Sequence, residues 1–254
     1  MREILVIGIG PGHPDQITVQ AVDALNRAQV LFVVDKGAAK SGLLEVRDEI
    51  LRRHVRNHDG YRVVEIADPP RDRGAYAYAD AVADWHAARA DRFAEAIGTE
   101  LDDDGVGAFL VWGDPALYDS TLRVIDHILA GDRVTFDFSV IAGVTSVHAL
   151  TAAHRIPLNG IGEPVHITPA RRIADGLPDG VDSVVVMLDP HFTAAQLDEP
   201  DLEVFWGAYV STRDEVLISG RLRDVAPQIA RTRAELRSRH GWIMDSYLLR
   251  RPGR

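Results

Sequence analysis

The chain has 254 residues, 46% hydrophobic and 26% charged, with a formal net charge of -10 at pH 7; this is enough to bury one or two full cores and offers too little clustered positive charge for a general nucleic-acid surface. It holds no cysteine, which excludes disulfides, thiolate metal sites and a cysteine nucleophile and is compatible with a reducing cytoplasm. No apolar run approaches the roughly 18 residues of a membrane span, and the few apolar positions before Gly8 are too short for a secretory leader, so a cytoplasmic protein with no membrane partner and no metal site is expected.

The opening run Ile4-Leu5-Val6-Ile7 reads as a buried strand that passes straight into Gly8-Ile9-Gly10-Pro11-Gly12. This junction looks like a nucleotide-binding loop, yet a phosphate cradle works by aiming backbone N–H groups at anionic oxygens, and Pro11 and Pro14 have none. His13 stands where the third glycine of G-x-G-x-x-G would be. What remains is a stiff turn whose glycines let the backbone touch a ligand without phosphate, and S-adenosylmethionine is such a ligand.

Helices are then predicted over 18–28, 42–55, 76–97, 120–129 and 145–154, alternating with strands over 30–34, 62–66, 107–112 and 134–141. The acidic run Asp102-Asp103-Asp104 reads as a solvated loop. Such alternation predicts a parallel sheet with helices on both faces. The segment 154–164, broken by Pro157, Gly160, Gly162 and Pro164, is the candidate linker, so the expected domains are 1–156 and 157–254. Beyond it come strands over 165–168, 183–188, 203–209, 215–219 and 242–249 and one strong helix over 225–240. Strands outnumber helices there, which argues for a mixed sheet. The fold class is therefore α/β in two domains.

In open α/β sheets ligands bind beyond the carboxyl ends of the strands. Besides the glycine-proline loop, three further clusters fall at such ends: Trp112-Gly113-Asp114-Pro115-Ala116-Leu117-Tyr118, Ile141-Ala142-Gly143-Val144-Thr145-Ser146, whose Thr and Ser suit a helix cap, and the strand Val184-Val185-Val186-Met187-Leu188. With Arg155-Ile156-Pro157-Leu158 and a strand carrying Met187, these segments in this order resemble the tetrapyrrole methylase family, the S-adenosylmethionine-dependent C-methyltransferases of cobalamin and sirohaem synthesis. The family pattern reads G-x-G-P-G, G-D-P, P-G-x-T/S and G-I-P-L. Here Ala142 replaces the proline and Arg155 the glycine before Ile-Pro-Leu.

The resemblance implies the family's two-domain fold, a homodimer, and cofactor contacts at Gly10, Pro11, Trp112, Gly113, Asp114, Leu117, Thr145, Ser146, Met187 and Val210. S-adenosylmethionine carries an ammonium, a carboxylate, a sulfonium and an adenine, so its site needs an acceptor, donors and apolar walls. Asp114 suits the ammonium or ribose, Thr145 and Ser146 supply hydroxyls, and Met187 and Leu117 suit the adenine. Within the family, Phe32-Val33-Val34-Asp35-Lys36-Gly37, Trp206-Gly207-Ala208-Tyr209 and the segment 241–248 are similar to members that methylate precorrin-5 at ring carbon C-1 and release acetate, giving precorrin-6A and S-adenosylhomocysteine.

Methyl transfer asks chiefly for alignment, whereas acetyl removal needs activated water. His13, Asp35, Tyr118 and Asp189, at strand or loop ends, are the candidates for that base. A substrate rich in carboxylates calls for a local basic rim, for which Lys36, Arg71, Arg73, Arg171 and Arg172 are placed in loops. Two rival readings stand. A dinucleotide-dependent oxidoreductase would use Asp35 on the ribose, against which the prolines and the lost third glycine count. Another tetrapyrrole methyltransferase, or a diphthine methyltransferase, would share fold and cofactor and differ in substrate.

Overall fold

The computed structural model describes residues 1–35, 41–69, 78–199 and 201–252; Lys36, Arg71 and Arg73 lie outside them. The chain divides into two compact units, Met1–Val144 and Thr145–Arg254.

The first unit is built on β1 (Arg2–Gly8), β2 (Val30–Asp35), β3 (Arg62–Ala67), β4 (Val106–Val111) and β5 (Phe136–Ile141), a sheet in the order β3-β2-β4-β1-β5. All its pairings are parallel. Side chains alternate across the sheet, so each strand feeds two cores. Ile4, Val6, Phe32, Phe109 and Val111 pack with α3 (Tyr78–Glu100) and α4 (Thr121–Ala130). There Phe109 stacks with Phe32 at 5.2 Å and Phe93 at 4.7 Å. Leu5, Ile7, Leu31 and Ala108 pack with α1 (Val19–Leu25) and α2 (Ser41–His54). Ile4 through Ile7 are wholly buried, each stabilising the fold by about 1.5–3 kcal/mol; this makes β1 the fixed post from which the glycine loop leaves. The run 102–104 is exposed, with Asp103 paired to Arg2 at 2.9 Å.

The second unit begins with α5 (Ser146–His154), which packs Ala149 and Leu150 against Val210 and Leu217. The helix is counted with this unit because its apolar face packs there. Its end is a Schellman ending: Ile156 N–H donates to the Thr151 carbonyl and Arg155 N–H to that of Ala152, both at 3.0 Å, with Arg155 left-handed (φ 57) where the family pattern has glycine. The sheet comprises β6 (Val165–Pro169), β7 (Ser183–Met187), β8 (Glu203–Ala208), β9 (Val216–Arg221) and β10 (Asp245–Arg250), ordered β6-β7-β10-β8-β9. Only β6 and β7 run parallel, so the sheet is mixed as expected. α6 (Leu222–His240) buries Leu222, Ile229 and Leu236 in a core with Val184, Val186, Trp206 and Tyr247. No helix among the described residues is long and apolar enough to cross a membrane.

Candidate functional site

At the carboxyl ends of β1, β4 and β5 three loops meet backbone to backbone. Ile9 N–H donates to the Val111 carbonyl at 2.9 Å, and Gly10 and Gly113 exchange hydrogen bonds of 3.3 and 2.8 Å as an antiparallel bridge. A Cβ on Gly143 would stand 2.0 Å from the Gly113 carbonyl oxygen, and one on Gly8 would stand 2.7 Å from the Gly143 nitrogen. Gly10 (φ 81) and Gly113 (φ 65) are also left-handed. Glycine alone allows this junction.

Asp114 locks it. One carboxylate oxygen accepts the Ala116 N–H at 2.8 Å and closes the Gly-Asp-Pro turn; the other accepts the Gly143 N–H at 2.8 Å and ties in the third loop. The carboxylate expected to meet an ammonium or ribose thus has both oxygens engaged by backbone. Thr18 adds a further tie, its hydroxyl donating to the Ala142 carbonyl at 3.3 Å while accepting the Ala21 N–H at 3.1 Å.

Pro11 and Gly12 are buried in this junction, Trp112 and Leu117 half-buried, and His13 is exposed. The His13 Nδ1 accepts the Asp15 N–H at 3.1 Å and so caps the short turn Pro14–Gln16. That turn is clamped from α2 by His54, whose Nε2 lies 2.9 Å from the Pro14 carbonyl, and by Arg53, 2.9 Å from Asp15. Tyr118 follows the Asp114 turn on a left-handed backbone (φ 53) and is 42% exposed. Two residues on, the Ser120 hydroxyl accepts from the buried Arg89 at 2.8 Å. The Arg89 guanidinium lies 4.4 Å from the Trp85 ring and 3.0 Å from Asp68. Burial pulls its pKa down against the pull of Asp68 and Asp119. Asp35 closes β2 in register with Ala67; its side chain lies outside what is described.

In the second unit Thr145 caps α5, its hydroxyl accepting the His148 N–H at 3.3 Å and lying 2.7 Å from the His148 Nδ1. Ser146, half-buried, opens the helix. Met187, half-buried, closes β7 in register with Pro169. The Val210 side chain is packed into the small cluster with Ala149 and Leu150, between left-handed Tyr209 (φ 48) and Ser211 (φ 68). The Tyr209 hydroxyl donates to the Trp242 carbonyl at 2.6 Å, and burial with the nearby Asp245 and Asp214 pushes its pKa up to about 12. Arg171 and Arg172 are exposed in the turn that follows β6.

Asp189 is 6% exposed and saturated. Its carboxylate accepts the His191 and Thr193 N–H groups at 2.9 and 2.7 Å, the Thr193 hydroxyl at 3.1 Å and the Tyr247 hydroxyl at 2.6 Å. Burial pushes this carboxyl up, but the hydrogen bonds from Tyr247, His191 and Thr193 outweigh it and hold it below the usual range. Burial, with Asp189 alongside, pushes the Tyr247 phenol far up. Arg233 extends the network: it donates to the Asp189 carbonyl at 2.5 Å and to an Asp245 oxygen at 2.7 Å, which also accepts the Trp206 indole N–H at 2.8 Å. Burial pushes the Asp245 carboxyl up against the pull of Arg233.

Sequence reasoning brought Gly10, Gly113 and Asp114 into one place, and the structure joins them there with Gly8 and Gly143. Sequence reasoning did not join Arg233, Asp245, Trp206 and Tyr247 into a network, although Trp206 and the segment 241–248 help carry the resemblance. One signal was available: Arg233 sits between Ile229 and Leu236 on the buried stripe of α6, where an arginine needs a partner. Among the described residues no group of three or more His, Asp or Glu could hold a metal ion.

Residues 3–226 match the family described as Tetrapyrrole (Corrin/Porphyrin) Methylases. The chain is 49% identical over 251 residues, 99% of its length and 96% of the relative's, to a precorrin-6A synthase [deacetylating] of a Sinorhizobium species. Among solved structures it is similar to a cobalamin synthesis related protein, CobF, of Corynebacterium diphtheriae, with TM-score 0.85, 40% identity and 98% of each chain covered. A uroporphyrin-III C-methyltransferase of Thermus thermophilus, complexed with S-adenosylhomocysteine, shares the fold at TM-score 0.60 and 19% identity, over 97% of this chain and 96% of that one.

Proposed function

The chain belongs to the tetrapyrrole (corrin/porphyrin) methylase family, and from that premise we propose that it is an S-adenosylmethionine-dependent C-methyltransferase of cobalamin biosynthesis, converting precorrin-5 to precorrin-6A by methylation at C-1 with release of acetate. The observation that carries this reading is the 49% identity over 99% of the chain to a precorrin-6A synthase. The oxidoreductase alternative loses on geometry as well: the Ile9 and Gly10 N–H groups are engaged by the Val111 and Gly113 carbonyls, and Pro11 has no N–H, so the loop has few donors left for a pyrophosphate.

When bound, S-adenosylmethionine supplies a methyl group already activated on a cationic sulfur. The protein's part is then alignment, since proximity and orientation carry most of such a transfer. The junction of Gly8, Gly113 and Gly143 suits that task, because a wall of paired backbone does not rearrange between rotamers. Gly10, Pro11, Trp112, Gly113, Leu117, Thr145, Ser146 and Met187 are the proposed cofactor contacts. Asp114 acts in this reading by holding three loops in register, and Val210 by packing.

Deacetylation consumes one water, whose oxygen leaves in the acetate, and requires a group to take its proton. His13 and Tyr118, both exposed, are the proposed candidates, with Asp35 retained from the sequence. Asp189 fits the role least, its carboxylate already accepting four hydrogen bonds. A homodimer in the cytoplasm belongs to the same reading.

The test is single-turnover reaction with precorrin-5 and methyl-labelled S-adenosylmethionine, following label and acetate separately. Equal yields of both are expected. For the residue that is the base, His13→Gln or Tyr118→Phe should cut acetate release by about a hundredfold or more while label incorporation persists. Methyl transfer to another tetrapyrrole with none to precorrin-5, or tight dinucleotide binding without binding of the sulfonium cofactor, would overturn the reading.

A further inference from the structure

Leu188, the residue after Met187, combines two features that an apolar side chain normally avoids. Its backbone is left-handed (φ 55) and it is 62% exposed. Leucine gains nothing locally from either: the left-handed region crowds its Cβ against the following carbonyl, and exposure forgoes burial. The next residue explains how the conformation persists. Asp189 takes four hydrogen bonds on its carboxylate and one from Arg233 on its carbonyl, and Arg233 is itself fixed by Asp245. Strain that is over-determined by its surroundings in this way is typical of ligand-contacting positions.

The same end of the sheet also carries charge. The parallel register of Pro169 with Met187 brings the turn Ala170–Arg172 to the end of β7. That turn packs against Thr193–Gln196, the segment that Asp189 holds through Thr193. Arg172 is exposed there, a cation in a chain of net charge -10. The end of β7 thus presents an exposed apolar side chain and the turn that follows the neighbouring β6 an exposed cation, a pairing that matches a ligand with a broad apolar face and an anionic rim.

A tetrapyrrole has such a face and rim, whereas the adenine of the cofactor has the face without the rim. We propose that Leu188 lies against the ring face of the tetrapyrrole substrate and that Arg172 meets one of its peripheral carboxylates, with Asp189 a positioning residue that holds Leu188. This deepens the reading given above and rests on it.

Leu188→Gly is the decisive variant, because glycine relaxes the left-handed backbone and the fold should survive, with unchanged or higher thermal stability. Protein loaded with S-adenosylhomocysteine, which blocks turnover, is titrated with precorrin-5 by absorbance. The variant should bind precorrin-5 about tenfold more weakly, the scale of losing a large part of a leucine's burial, with affinity for S-adenosylhomocysteine unchanged. Leu188→Asn, which also tolerates this backbone, should lose as much, and Arg172→Gln should make binding less salt-dependent. Asp189→Asn should weaken precorrin-5 binding when Leu188 is present and have no such effect in the Leu188→Gly background, which a merely structural role would not produce. Wild-type affinity in Leu188→Gly, or a loss confined to S-adenosylhomocysteine, overturns this inference alone. A wild-type protein that binds S-adenosylhomocysteine but no precorrin-5 overturns both it and the proposed substrate.

Discussion

At the carboxyl ends of β1, β4 and β5 the chain is held by backbone, with Gly8, Gly113 and Gly143 in contact and one carboxylate closing the junction. Beyond β7 it is held instead by side chains drawn from β8, α6 and β10, with Arg233 and Asp245 at their centre. The first arrangement has no room for an added atom, and its one carboxylate is engaged by backbone N–H groups and not by an ion pair. The second has side chains that size changes can repack, but each ion in it relies on a partner. Rigidity at a strand end can therefore be reached by two routes, and the two should fail under different insults.

The largest loss is expected from Arg233→Met. It leaves the Asp245 carboxylate, only 4% exposed, without its cation, and breaking such a buried pair costs about 3–5 kcal/mol. Denaturant unfolding measures this, and replacing Asp245 by Leu in the same chain should recover most of it. A loss below about 1 kcal/mol would show that the network is peripheral.

Gly143→Ala tests the other route. Its Cβ would fall 2.0 Å from a backbone oxygen that cannot swing away, so about 1–3 kcal/mol of stability should be lost. Cofactor binding should fall with it, whereas conservative changes of size in the second core should leave binding alone. Wild-type affinity for S-adenosylhomocysteine in Gly143→Ala would end the distinction.

Acid separates the two regions next. Asp189 is held below its usual range, so the folded state binds its proton less readily than the unfolded chain. The stability this contributes is complete above about pH 4, the ordinary carboxylate value, and is lost as pH falls through the lower folded value. Asp245, pushed up by burial, runs the other way: the folded state takes its proton first, and the associated stability is lost as pH rises through its folded value. The difference in stability between wild type and Asp189→Asn should accordingly shrink as pH drops below about 4. A difference independent of pH would remove the charge from the account.

The smallest effect is a gain. Arg155 occupies a left-handed helix ending (φ 57) where the family pattern has glycine, so Arg155→Gly should stabilise the second unit by about 0.5–1 kcal/mol. A thermal midpoint that falls would mean that the arginine side chain holds something that its backbone strain conceals.

How much of this was open to a reader of the sequence follows the same divide. The alternation of apolar strands and helices, and the glycine after β1, could be read directly, because a periodic pattern and an absent Cβ each have one physical meaning wherever they occur. The extra strands after residue 164 announced a mixed sheet for the same reason. The short turns Pro14–Gln16, Ala170–Arg172 and Thr193–Gln196 carry no period and were not foreseen.

Prolines at 157 and 164 marked irregular chain, whereas which core takes the apolar face of α5 could not be read, because a helix reads alike whichever side it serves. Asp114 was visible as a turn residue, yet its second hydrogen bond, to Gly143, joins positions 29 residues apart. Asp189 was visible as a carboxylate at a strand end; its bond to Tyr247 spans 58 residues. By itself the sequence determined the elements, the glycine junction and the family, because these rest on local pattern and on residues in chain order. Only the tertiary structure decided which carboxylates are engaged and which backbone is strained, because a charge declares nothing about its partner until the fold brings the two together and removes the water between them.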